Sequence, residues 1–574
     1  MGLFTKKRRS RSLIIKRSIF IDTFLIGLIG AFAAQVFLLL LDLVKSVSNY
    51  IIHNQYLINL AESLHVTPSI LIVVVITIGG LISGFLVYKF APEAEGHGTD
   101  TVIRAFHRTG GYLRPIVVPI KIITSAITIG TGGSAGKEGP TALFSAGVGS
   151  IYSDWKKVSW RDRQIYVLIA MASGLSAVFK APLGTSFFAV EVLYISTEIE
   201  SRDLIYILFG PLIAYTVTGY LFGWNPIFIF PDNLMVTTIN DYFYIVILGI
   251  LSGFIGFLMP NIFYYTRDFF RSLKINPIFK PALGAFLVGI LGMYLPQVLG
   301  GGYEVIQEAI DGKLVGFFVL LLFLGKIYAF TFTVASGGSG GVFAPTLFIG
   351  AMFGAFFAYI FHLNMAVFVL IAMASVFGAA ARTPLAAIIM ILEMSGGYSL
   401  LAPTMFGVLA AFVTHNYLNA FFKPKYVSLY EAQLLNSNFA VINQIERLKD
   451  ILVCHAPIYG FDLKRVKNDT LITLLENGQP IKVGENKYVF FGTFHKRVKL
   501  DVEGDLKKYK GAYVLYIFRN GEWIHPMETD EIKEDDEVLL YGGYDTIFKI
   551  KDEFTPVSQI FSKLKLQEEV IEKA

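Results

Sequence analysis

The residues best placed to do chemistry lie in two short glycine-rich segments of otherwise apolar sequence. The first reads Gly132-Gly133-Ser134-Ala135-Gly136-Lys137-Glu138-Gly139-Pro140-Thr141; the second reads Gly337-Gly338-Ser339-Gly340-Gly341-Val342-Phe343-Ala344-Pro345-Thr346. Each follows a Lys-Ile pair, Lys121-Ile122 or Lys326-Ile327, after nine intervening residues. Further on, Pro182-Leu183 is followed after seven residues by Glu191, and Pro384-Leu385 after seven residues by Glu393. Matches of this length and order define an internal repeat.

Glycine and proline at this density break a helix rather than continue it. At membrane depth, broken backbone persists only where it lines a cavity or is buried in protein. Paired interruptions in two halves point to a transport site at the repeat interface. A half-helix that starts after such a break aims free N–H groups and its positive dipole end at that site, an arrangement that binds anions. The polar groups in the two segments are backbone amides, Ser134 and Ser339, with no acidic or histidine cluster suited to a cation cage or a metal. The exception is Glu138, because a carboxylate in apolar, anion-receptive surroundings is costly. Either it helps to cap the following half-helix, or it takes an anion position itself, blocking the path when ionised and leaving when protonated. Glu191 and Glu393 occupy matching repeat positions, which suits a scaffold role. A duplicated membrane scaffold without a site is the alternative for the repeat as a whole.

The elements that must position these residues are membrane helices. Of the 574 residues 54% are apolar and 16% charged, against about a quarter charged in soluble domains. The runs 19–41, 70–90, 204–223, 242–258, 281–295 and 314–330 are nearly free of charge, and several approach the roughly 20 residues that cross a bilayer core. A basic leader, Lys6 to Arg17, precedes the first run and predicts a cytoplasmic N-terminus rather than a nucleic-acid tail. The single cysteine, Cys454, excludes a disulfide scaffold. After Phe422 the composition turns charged, so residues 435–574 read as a soluble domain. Tyr488–Phe494 and Tyr513–Phe518 alternate as half-buried strands do. Arg519-Asn520-Gly521 is a tight-turn signal. Asp536–Tyr541 reads as another strand, Phe548 onward as a closing helix, and the tail after Leu566 as a fraying end.

At these motifs the chain resembles the CLC family of chloride channels and proton/chloride exchangers, over roughly residues 18–434. Gly136-Lys137-Glu138-Gly139-Pro140 is similar to the family's G-[KR]-E-G-P element, and Gly341-Val342-Phe343-Ala344-Pro345 to its G-x-F-x-P element. The resemblance implies an all-α polytopic membrane fold of inverted repeats with broken helices, assembled as a homodimer with one pore per subunit. It makes Glu138 the gating glutamate, with anion contacts in the region of Gly136 and Lys137. It sets the amides of Val342 and Phe343 against a central anion. Tyr430, within Ser428-Leu429-Tyr430-Glu431-Ala432-Gln433-Leu434, matches the tyrosine whose hydroxyl donates to that anion. The motifs alone do not distinguish inverted from parallel repeats.

Two departures bear on function. The family's first anion motif is typically G-S-G-x-P; here the segment is Gly96-His97-Gly98-Thr99-Asp100. His97 either donates an N–H to the anion, carries charge below an unperturbed pKa of about 6.5, or points aside and leaves binding to backbone amides such as that of Gly98. The second departure is Val192, directly after Glu191, where family exchangers carry an inner proton-accepting glutamate. Valine cannot titrate, so channel-like or weakly proton-coupled flux is expected, with a proton/chloride antiporter as the alternative. The proton-path candidates are then Glu138 and Glu191.

Residues 511–554 resemble the C-terminal regulatory module of RCK/TrkA potassium transport proteins, through Arg519–Pro526 and Asp536–Gly542. Such modules often dimerise and bind small ligands, including cyclic dinucleotides; a passive dimerisation domain is the alternative. No G-x-G-x-x-G or Walker motif is present. The expected partners are chloride and related small anions, membrane lipids and a second copy of the chain, with no nucleic acid, no metal and no resident cofactor. Both termini are expected on the cytoplasmic side. A tail-regulated cation transporter would need a selectivity filter or intramembrane acid pairs. A membrane enzyme would need a catalytic constellation. The sequence contains neither.

Overall fold

The computed structural model describes residues 17–63, 67–158, 160–193, 201–231 and 235–430, then 480–494, 511–519, 522–526 and 536–551 with shorter pieces between 448 and 533. The basic leader before Arg17, Glu431–Leu434, Cys454, the Asn520-Gly521 turn and the tail after Lys551 lie outside the described residues. The chain divides into two compact units, Met1–Gln433 and Leu434–Ala574.

The first unit is helical. A long opening helix α1 (Arg17–Ile52) and short α2 (Gln55–Ser63) lead into α3 (Ile70–Phe90), α4 (Thr99–Arg108), α5 (Val117–Gly130), α6 (Glu138–Lys156), α7 (Trp160–Phe179), α8 (Pro182–Glu191) and α9 (Ser201–Phe222). A second long helix, α10 (Ile239–Ser272), is followed by α11 (Lys280–Tyr294), α12 (Tyr303–Ile310), α13 (Phe317–Ala335), α14 (Phe343–Phe361), α15 (Met365–Ala381), α16 (Pro384–Ser395) and α17 (Leu401–Phe422). Among the described residues, eight helices are long and apolar enough to cross a membrane. The opening helix runs eleven residues beyond the apolar stretch that ends at Leu41, because no proline or glycine stops it before Ile52.

The order α3–α9 recurs as α11–α17, and the backbone repeats with it. Left-handed residues fall at matching places: Gly98 (φ 84°) and Gly302 (φ 80°), Gly132 (112°) and Gly337 (103°), Lys157 (53°) and His362 (55°), Lys180 (53°) and Arg382 (58°). The two copies meet at Gly136 and Gly341, which exchange both backbone hydrogen bonds, at 2.8 and 2.7 Å, as an antiparallel pair. Such an exchange between equivalent residues requires a local two-fold axis. The equivalent helices α6 and α14 therefore start side by side and run apart, head to head, as an inverted repeat demands. Glycine also sets the helix spacing. A Cβ on Gly289 would sit 2.7 Å from the Cα of Val73, so α3 and α11 approach as closely as small-residue packing in lipid allows.

The second unit holds a five-stranded antiparallel sheet in the order β1-β2-β7-β4-β5. Its strands are β1 (Ile481–Gly484), β2 (Lys487–Phe494), β4 (Ala512–Arg519), β5 (Glu522–Ile524) and β7 (Asp536–Gly543). A two-stranded pair joins β3 (Val498–Lys499) to β6 (Glu531–Ile532). The alternation in the sequence predicts strands buried on one face, but both faces are covered. Val489, Phe491 and Leu539 pack with Leu448, Leu452 and Leu471 on one side, and Phe490, Val538 and Leu540 with Ile532 and Ile547 on the other. A bulge between Val514 and Tyr516 shifts the register of β4, so its inward positions do not strictly alternate. Arg519 of β4 pairs with Glu522 of β5. The closing helix spans Tyr544–Lys551 and so begins four residues before Phe548, with Ile547 in the core.

Candidate functional site

The break in the first copy lies between α5 and α6, and that in the second between α13 and α14. Neither α6 nor α14 has a side-chain cap at its N-terminus, and Pro140 and Pro345 remove one amide from each first turn. The remaining first-turn amides therefore face the junction without an N-cap side chain to meet them.

A shared scaffold holds both breaks. Lys121 is fully buried and its ammonium donates to the carbonyls of Ala94 (2.9 Å) and Gly96 (2.7 Å). Lys326 does the same to Val298 (2.9 Å) and Gly300 (2.7 Å). Ser134 Oγ donates to the Val298 carbonyl (2.8 Å) and Ser339 Oγ to that of Ala94 (3.1 Å). These contacts fix the loops that enter α4 and α12. Ser134 and Ser339 are thus structural ties between the halves. Glu191 and Glu393 form a reciprocal pair. Glu191 accepts from the amides of Leu385 (3.3 Å) and Ala386 (2.8 Å) at the start of α16. Glu393 accepts from Leu183 (3.1 Å) and Gly184 (2.7 Å) at the start of α8. Each carboxylate caps the other half's helix, where the amide dipoles favour it. Val192 is fully buried at the end of α8.

Against this symmetric frame, Glu138 stands alone; its counterpart in the second copy is Phe343. The Glu138 side chain folds back into the junction. A Cβ on Gly136 would lie 1.8 Å from its Oε2, and one on Gly341 3.1 Å from the same atom. The two glycines therefore form a cradle that the carboxylate fills. Its Oε1 accepts a hydrogen bond from the hydroxyl of Tyr303. Its Oε2 accepts no hydrogen bond of ordinary geometry, although the amide of Ala344 faces the carboxylate. One oxygen is latched and the other is weakly held. Lys137 lies beside them with its ammonium 4.9 Å above the Tyr303 ring, in cation–π range.

On another side of the junction, the carbonyl of His97 abuts Gly139, where a Cβ would lie 1.9 Å from it. Gly98 is the left-handed N-cap of α4. The His97 ring is buried, edge-on to Tyr430 at 5.7 Å, with Nε2 3.2 Å from Asp100 Oδ2. Tyr430 is buried between His97 and Phe188 (5.8 Å), its amide donating to Ser428 Oγ (3.1 Å). Val342 is the residue at the N-cap position of α14, and the Phe343 ring packs on Phe377 (4.5 Å) and Phe179 (5.6 Å). The junction thus gathers Glu138, Gly136, Lys137, Gly98, His97, Val342, Phe343 and Tyr430. Both oxygens of Glu191 are taken up by α16 instead. Sequence reasoning assigned no role to Tyr303. Its signal was available: Gly300-Gly301-Gly302-Tyr303 stands where the repeat puts Gly96-His97-Gly98-Thr99.

Uncapped half-helices meeting head to head around a buried carboxylate define a polytopic membrane protein of the transport class. The family model for the voltage gated chloride channel matches residues 79–416. The chain belongs to this family, the CLC family. The H(+)/Cl(-) exchange transporter ClcA of Salmonella agona (strain SL483) is 30% identical over 365 residues, which cover 61% of this chain and 76% of the relative. The protein of the same name from Citrobacter koseri matches to the same extent. Among solved structures, a slow cyanobacterial Cl-/H+ antiporter aligns with a TM-score of 0.63 at 24% identity, covering 72% of this chain and 96% of that one. A CLC-type fluoride/proton antiporter aligns at 0.61 and 21%, covering 72% and 97%. These likenesses show a shared fold.

Proposed function

We propose that the protein carries chloride across a membrane through the junction of α4, α6 and α14, with Glu138 as a protonatable gate. The observation that carries this reading is the Glu138 carboxylate lying in the glycine cradle between two uncapped helix starts. An anion and an ionised carboxylate compete for such a place, since both want the same amides. A neutral, protonated Glu138 does not compete and leaves the cradle to the anion. Proton binding and anion passage are thereby linked at one residue.

The names of the relatives support proton-coupled exchange over channel-like flux. The channel-like expectation rested on Val192, and nothing else in the site favours it. In the exchange reading, Tyr430, His97 and the amides of Val342 and Phe343 line the anion's way, and Glu191 serves the scaffold. The unit 435–574 is read as a cytoplasmic regulatory domain whose residues 511–554 are of RCK/TrkA-C type, open to a small ligand such as a cyclic dinucleotide. The protein is read as a homodimer with both termini cytoplasmic. Purified protein in liposomes tests the central reading: a chloride gradient drives opposed proton movement, and Glu138→Gln abolishes the proton movement while chloride still flows. Flux of potassium without chloride would contradict it.

A further inference from the structure

His97 and Asp100 replace the two residues that the family's first anion motif usually carries, and they replace them as a pair. Their side chains are 7% and 8% exposed, and His97 Nε2 lies 3.2 Å from Asp100 Oδ2. Asp100 is the second residue of α4, where the helix dipole favours a carboxylate, and the Tyr264 hydroxyl stands 3.5 Å from the same oxygen. Facing an ionised Asp100, Nε2 must carry hydrogen. The neutral ring then presents a bare lone pair at Nδ1, and the charged ring presents an N–H there. Nδ1 is buried and meets no hydrogen-bond partner among the described residues.

The second repeat has nothing comparable. There the matching positions are Gly301 and Glu304, and Glu304 is exposed with Lys45 at 3.2 Å. The other ionisable groups around the pair are otherwise engaged. Lys121 is tied to the Ala94 and Gly96 carbonyls, and Tyr264 also donates to the Leu429 carbonyl at 2.7 Å. Arg267 lies over the Tyr264 ring. Tyr430 presents its ring to His97, and Glu138 lies beyond Gly139.

We propose that His97, oriented by Asp100, is a second proton-binding site of the anion path: an anion settles beside it together with a proton on Nδ1. A buried carboxylate with a neutral imidazole repels an anion twice, by its charge and by the lone pair. Protonation of Nδ1 turns the pair into a charge-neutral imidazolium–carboxylate and offers the anion a donor. When the anion leaves, the same proton leaves Nδ1 for water. This rests on the anion-transport reading above and extends it, because Glu138 releases its place to an anion on protonation whereas His97 holds the anion on protonation.

The test uses the purified full chain and chloride affinity by calorimetry between pH 5.5 and 8.5, in a Glu138→Gln background that removes the gate's own titration. Chloride affinity should still strengthen as pH falls, by up to about tenfold per pH unit for one linked proton. That slope should vanish in Glu138→Gln/His97→Ser and in Glu138→Gln/His97→Gln, and flatten in Glu138→Gln/Asp100→Asn. The glutamine variant keeps the side chain's bulk should serine fail to fold. A pH-independent affinity in Glu138→Gln, or a slope that survives loss of His97, overturns the proposal and leaves the transport reading intact. A wild-type protein that binds no chloride overturns both.

Discussion

The two halves of the membrane unit share a scaffold and differ in chemistry. Lys121 and Lys326 bind equivalent carbonyls at the same distances, Ser134 and Ser339 tie equivalent loops, and Glu191 and Glu393 cap each other's helices. At the reactive positions the copies part. Glu138 faces Phe343 in the alignment of the repeats, Lys137 faces Val342, and the His97–Asp100 pair faces Gly301 and Glu304. Duplication builds a two-fold frame whose helix starts converge, and single-copy substitutions break its symmetry at the junction. A symmetric site would bind an anion equally from both ends. One carboxylate on one side is what the proposed gate adds to it.

The comparison breaks or sharpens most strongly at Glu138. An ionised carboxylate held by charge-assisted hydrogen bonds gains about 1.5–3 kcal/mol per bond, so Glu138→Gln should raise chloride flux at alkaline pH by about 10- to 100-fold and flatten most of its pH dependence. Phe343→Leu, at the matching position, should leave the pH dependence as in the wild type. Equal effects from the two variants in a flux assay would mean that the halves are chemically alike.

The scaffold side predicts equality instead. Glu191→Ala and Glu393→Ala each strip two helix-start amides of their acceptor, at a cost of about 2 kcal/mol. Thermal unfolding in detergent should show matched losses. A large loss for Glu191 alone would give it a role beyond the frame.

Much of this was legible in the sequence. The repeat announced itself because both breaks need the same glycines and prolines, and backbone needs leave few residue choices. The fold followed from those breaks and from the charge-free runs. The repeat marks the position of Tyr303, but not its contact, because its hydroxyl reaches Glu138 across 165 positions of chain. The His97–Asp100 contact was hidden for a different reason. Each residue was visible as a departure, but only the turn of α4 shows that one departure answers the other. In the second unit, alternation gave the strands but not the cover on their second face, which comes from distant residues such as Leu448 and Leu471.

Smaller effects sharpen the same contrast. Tyr303→Phe removes the hydroxyl that latches Glu138 Oε1 and should raise chloride flux at alkaline pH by about tenfold, equivalent to about 1.4 kcal/mol, with the pH profile displaced. Unchanged flux with an unchanged profile would remove Tyr303 from the gate. Deleting residues 440–574 should change flux least of all, by less than about twofold, if the tail regulates rather than conducts. A folded but inactive protein would contradict that.

The central claim is that one carboxylate in a two-fold frame links anion passage to protons. Simultaneous recording of chloride and proton fluxes from liposomes holding wild type or Glu138→Gln tests it most directly. The account predicts chloride flux in both, with opposed proton movement in the wild type alone. Wild-type chloride flux with no proton movement, or proton movement that persists without Glu138, would contradict it.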